Sequence, residues 1–128
     1  MRPLRYRYFW FFGGLCLVGI VLYLTLTPQP GRIPPVIDDK VAHAIAFMML
    51  MTWFCGVFEL RYAWAVALAL LCLGAAIEWV QNLLTYRSAE IADGLADIGG
   101  IFGGWVLAVI GLERWAIVLE RWLARATD

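Results

Sequence analysis

The chain has one histidine, one serine and no surplus of either charge, its ten Lys and Arg balancing ten Asp and Glu. Each scarcity closes off a class of function. Scattered basic residues leave no electrostatic footprint for nucleic acid. The single serine, Ser88, lies far in sequence from the single histidine, His43, so no nucleophilic triad is visible. HExxH is missing, with no comparable metal motif in its place. Cys16, Cys55 and Cys72 all sit in apolar runs, odd in number and without a CxxC pair. That spacing suggests neither a disulfide framework nor a thiolate metal site. Small packing residues are expected instead. No repeat, low-complexity tract or cofactor motif is apparent.

Apolar residues are what the chain has in quantity. They make up 63% of it, and the mean hydropathy is +0.78, against about 45–50% apolar content in soluble domains. An integral membrane protein is expected. A helix needs about 20 residues to cross the hydrocarbon, so 128 residues hold a single domain of four spans, at 9–26, 41–58, 62–84 and 91–112. The expected fold class is all-α, a four-helix transmembrane bundle with a short amphipathic C-terminal helix over 113–126. The first run lacks an A-x-A-like cleavage site, so an uncleaved anchor is expected rather than a signal peptide. Glu59-Leu60-Arg61-Tyr62 has the length of a turn between antiparallel helices. In the tail, Trp115, Val118, Leu119, Trp122 and Leu123 share one face, and Arg114, Arg121 and Arg125 another. This suits a helix lying on the membrane surface, with a plain extension of the fourth span as the alternative.

Loop charges orient the spans. Arg2, Arg5, Arg7, Arg61, Arg114, Arg121 and Arg125 fall on one side, and only Arg32, Lys40 and Arg87 on the other. The positive-inside rule then puts both termini in the cytoplasm.

Several polar residues break into the apolar runs: His43, Glu78, Gln81, Asp93 and Asp97. A charged group at mid-bilayer costs roughly 2.5–3.5 kcal/mol on the insertion scale, so such residues ordinarily mark a site or a paired interior contact. With the spans alternating in direction, His43 opens the second, Glu78 and Gln81 close the third, and Asp93 and Asp97 open the fourth. All converge on the outer end of the bundle. Asp39 with His43, and Asp93 with Asp97, are one turn apart, and Glu78 with Gln81 nearly so, so each pair shares a helix face. Gly99–Gly103 and Gly100–Gly104 make overlapping GxxxG patterns, which allow close helix approach. Structural readings stand beside the functional one: an interfacial histidine, a Glu78 tie to Lys40 or Arg87, and an Asp93 at a helix dipole.

Thr27-Pro28 ends the first span, and Asp39-Lys40-x-x-His43-x-x-x-Phe47-x-x-Leu50 follows. Glu78-x-x-Gln81, Arg87, Asp93 and Gly100-x-x-x-Gly104 come next. In this order and spacing the chain resembles the VanZ-like family of small bacterial membrane proteins. It departs from the family pattern at Asp97, where asparagine is usual. The resemblance implies a multi-pass protein of the bacterial cytoplasmic membrane. It also implies a possible link to resistance against teicoplanin, a drug that targets cell-wall precursors on the outer face.

The leading expectation is an outward-facing pocket of Asp39, Lys40, His43, Glu78, Gln81, Arg87, Asp93 and Asp97. It would bind a cell-envelope ligand such as a lipid-linked precursor or headgroup, with Lys40 and Arg87 as anion contacts and the bilayer as constant partner. The alternatives are a metal-assisted hydrolase or transferase using His43, Glu78 and the two aspartates on a lipid-linked phosphate, and a structural membrane subunit. Nothing in the sequence indicates an oligomeric state.

Overall fold

The computed structural model describes residues 1–27, 38–84 and 91–126. They form an all-α bundle. Helix α1 runs Arg7–Leu26, α2 Asp39–Val57, α3 Ala63–Leu83, α4 Ile91–Val109 and α5 Trp115–Ala126. The first four are long and apolar enough to cross a membrane. Leu60–Tyr62 forms the expected tight connection between α2 and α3, as a single 3-10 turn.

The fourth span stops sooner than the apolar run predicts. α4 ends at Val109, and Gly111 follows with φ 128°. That left-handed backbone is available to glycine without a steric penalty. The chain reverses there into a 3-10 turn at Leu112–Arg114 and then into α5. The tail is therefore a separate helix, not an extension of α4. Val118 and Trp122 on its apolar face are well exposed, as suits contact with a membrane surface.

α2 is the centre of the bundle, and its most extensive packing is against α4. Its buried residues are His43, Phe47, Leu50, Met51, Phe54, Cys55, Gly56 and Val57, a stripe at helical spacing. On α4 the matching stripe is Asp93, Asp97, Gly100, Ile101, Gly104 and Ala108. The two helices run parallel and nearly touch. A Cβ at Gly100 would lie 2.2 Å from the Ala44 carbonyl oxygen, and one at Gly104 would lie 2.5 Å from that of Met48. Gly99 has open space around it, so only one of the two overlapping GxxxG patterns is the packing register. The packing role expected of the cysteines holds for Cys55 alone, since Cys16 and Cys72 are exposed on the bundle's outer surface. Lipid is as apolar as the core, so a cysteine in an apolar run fits either side.

One end of the bundle is tied by the chain's first and last segments. Arg2 donates from its backbone N–H to the Val57 carbonyl at 2.9 Å and pairs with Glu113. Trp10, Trp53 and Trp115 pack together edge-on or tilted, with centroids 4.5 to 6.2 Å apart. Glu120 accepts hydrogen bonds from the backbone N–H groups of Arg5 and Tyr6 and from Trp10 Nε1. The opposite end carries the polar residues.

Candidate functional site

Four helix ends meet at that second end. α2 begins there, capped by Asp38, whose carboxylate accepts from the Lys40 backbone N–H at 2.9 Å. A side-chain acceptor at this position satisfies one of the donors a helix start leaves open. α4 begins beside it, while α1 and α3 end there. His43 stands one turn into α2 and is 2% exposed; Asp97, in the second turn of α4, is also 2% exposed. The parallel, glycine-mediated packing of these two helices brings His43 Nδ1 within 2.9 Å of Asp97 Oδ1. An ionised carboxylate only accepts, so the imidazole Nδ1–H is the donor.

Asp97 can occupy this position because α3 has no side chain at Gly74. A Cβ there would lie 2.7 Å from Asp97 Oδ2. On the same face of α3, Gln81 is 1% exposed. It donates from Nε2 to the Thr25 carbonyl at the end of α1, at 3.1 Å. Thr25 turns its own hydroxyl to the Val21 carbonyl at 2.8 Å. Glu78 is partly buried, yet its Oε1 is closed off and has no hydrogen-bond partner. Asp93 is buried at the start of α4, with Lys40 Nζ 3.9 Å from its Oδ1. Asp39 is exposed.

Of the eight residues singled out from sequence, His43 and Asp97 form one direct pair and Lys40 and Asp93 a looser one. Gln81 is tied to α1, and Glu78 stands open. Arg87 lies outside the described residues. Lys40 therefore faces a carboxylate within the protein, and Glu78 has neither Lys40 nor any other described cation within ion-pair distance. Among the described residues, no three His, Cys, Asp or Glu side chains are placed to hold a metal ion. Two contributors escaped sequence reasoning. Gly74 gives Asp97 its room, and the only signal for it was a small residue one turn before Glu78. The Thr25 carbonyl anchors Gln81 and carries no sequence signal at all.

Four orphaned polar atoms remain buried at this end: His43 Nε2, Glu78 Oε1, Gln81 Oε1 and Asp97 Oδ2. Each unmade hydrogen bond of this kind costs about 1–3 kcal/mol, so a cluster of them is an unusual feature of a buried helix end. The fold and this cluster define a class: an all-α bundle with four helices long and apolar enough to cross a membrane and a cluster of ionisable side chains at one end.

No family model matches the chain, and no solved structure matches it. The chain is similar to an uncharacterized protein of the fission yeast Schizosaccharomyces pombe, 34% identical over 104 residues. The match takes in 78% of this chain and 62% of the yeast protein. The chain thus spans less than two thirds of the relative's length.

Proposed function

We propose that the polar end of the bundle is a ligand site, and that the ligand belongs to the cell envelope: a lipid-linked precursor or a lipid headgroup. The observation that carries this is the set of four buried, unpartnered polar atoms on four different side chains, all at one end of a membrane bundle. A cluster serving only to hold helices together would spend its hydrogen bonds internally, because in hydrocarbon no water makes up the loss. Here His43, Gln81 and Asp97 each spend one polar atom on the protein and keep one in reserve.

On this reading the chain is a VanZ-like protein with both termini cytoplasmic, and the site faces outward. In a bacterial cytoplasmic membrane that direction is toward the envelope polymers. The order of the polar motifs and the bias of loop charges support it. A teicoplanin link is the narrowest form of the proposal. It predicts that expression in a susceptible bacterial host raises tolerance, and that Glu78→Gln removes the gain.

The direct test is native mass spectrometry of the protein purified gently from its own membranes, beside Glu78→Gln. A lipid-mass adduct carried by the wild type and lost in the variant is expected. Identical bare spectra for both, with equal thermal melting, would return the cluster to the role of helix glue.

A further inference from the structure

Three of the four orphaned atoms are oxygens of carboxylate or amide groups. Gln81 uses its amide nitrogen on the Thr25 carbonyl and leaves Oε1, an acceptor, open. Asp97 uses Oδ1 on His43 and leaves Oδ2, an acceptor. Glu78 leaves Oε1, an acceptor. His43 Nε2 is the exception, since it accepts on a neutral ring that donates from Nδ1 and donates on a protonated one. Lys40, the described cation at this end, stands against Asp93. The open face of the site therefore asks for hydrogen-bond donors.

Its layout is extended. Asp97 Oδ2 sits over Gly74, Glu78 is one turn further along α3, and Gln81 nearly one turn beyond that. At 1.5 Å per residue the row runs about 10 Å along α3. The same spread explains why no three carboxylate or imidazole groups among the described residues close on one point. A metal ion or a single ammonium needs its acceptors gathered around one atom. Several hydroxyls on one ring do not. A phosphate would bring further acceptors and negative charge to a row that is itself all acceptors, leaving both sides unpaired. His43, Gln81 and Asp97 are almost fully buried, whereas Glu78 is only partly so, which places the way in on the Glu78 side.

Resting on the ligand-site reading above, we infer that the acceptor row of Glu78, Gln81 and Asp97 recognises the hydroxyl groups of a sugar-like headgroup carried on a lipid, not its phosphate.

The test uses the full chain in detergent micelles with three lipids of identical acyl chains: a monoglucosyl diacylglycerol, phosphatidic acid and phosphatidylethanolamine. Retention of each is measured by native mass spectrometry in competition, on the wild type, Glu78→Gln and Gln81→Leu. The glycolipid is expected to be retained about tenfold over the other two. That preference should shrink about tenfold in either variant, the scale of one lost charge-assisted hydrogen bond. Glu78→Gln is isosteric and only partly buried, so it keeps the test usable if Gln81→Leu fails to fold. Phosphatidic acid or phosphatidylethanolamine preferred by the wild type, with the preference lost in Glu78→Gln, would overturn the sugar assignment and leave the ligand site standing. No preference among the three, unchanged in the variants, would overturn both.

Discussion

Asp97 is the residue on which the site turns, because it satisfies His43 with one oxygen and offers the other to the interior. Removing its side chain strands the Nδ1–H of a histidine that is almost wholly buried. Asp97→Ala is expected to cost about 1–3 kcal/mol, the desolvation penalty of an unmade buried hydrogen bond. Asp97→Asn installs the asparagine of the VanZ-like pattern that the sequence resembles and keeps an oxygen that can accept from Nδ1–H. It should melt nearer the wild type than Asp97→Ala in a thermal unfolding series in detergent. Equal melting of the two variants would show that the 2.9 Å contact contributes nothing. His43 and the two aspartates were legible from sequence as unusual polar positions. Their pairing was not, since helical spacing says which residues share a face but not which partner a neighbouring helix presents.

At the scale of elements, two contacts decide how the helices meet. The α2–α4 packing depends on one glycine register, so two neighbouring glycines should behave oppositely. Gly100→Ala drives a methyl into the Ala44 carbonyl, and because backbone must move it should cost about 1–3 kcal/mol. Gly99→Ala meets nothing. It should be neutral or gain up to about 1 kcal/mol from better helix propensity. Both are read from melting of the purified protein, and equal effects would contradict the register. The second contact joins α5 to α1. Tyr6 starts α1 with no side-chain cap of its own, and Glu120 supplies one from α5, where a negative charge also suits the helix dipole. Burial alone would raise the Glu120 carboxyl. Hydrogen bonds from Tyr6, Trp10 and Arg5, with the Arg5 charge, outweigh it and hold the carboxyl below its ordinary value. A depressed carboxyl stabilises the docked state fully above the unfolded glutamate value of about 4.3. That stabilisation is lost as pH falls through the lower, folded value. Hydrogen exchange of the first turn of α1 should therefore quicken as pH drops below about 4, relative to intrinsic exchange. Glu120→Gln should abolish that acid sensitivity.

For the whole molecule, the consequential claim is orientation. The structure gathers the chain's first and last segments at one end and the polar cluster at the other. If the positive-inside bias governs, the cluster faces away from the cytoplasm. With Cys16, Cys55 and Cys72 replaced by alanine, Arg32→Cys and Arg87→Cys should react with a membrane-impermeant thiol reagent added to intact cells. Arg121→Cys should react only after the cells are opened. The reverse pattern would turn the site toward the cytoplasm and remove the envelope ligand with it.

Span number and the gathering of His43, Glu78, Gln81, Asp93 and Asp97 at one end were determined by sequence alone, whereas the tail was left open between a surface helix and an extension of the fourth span. Run length against bilayer thickness sets the spans, and alternating direction does the rest without knowledge of any contact. The tertiary structure decided what depends on how each helix is rotated. Gly100 and not Gly99 faces α2, Cys55 and not Cys16 faces the core, and Glu120 reaches back to cap α1. In a membrane the lipid side of a helix is as apolar as its packed side. Where no polar residue marks a face, nothing in an apolar span fixes its rotation, and only the assembled bundle shows which atoms meet and which polar atoms it leaves open.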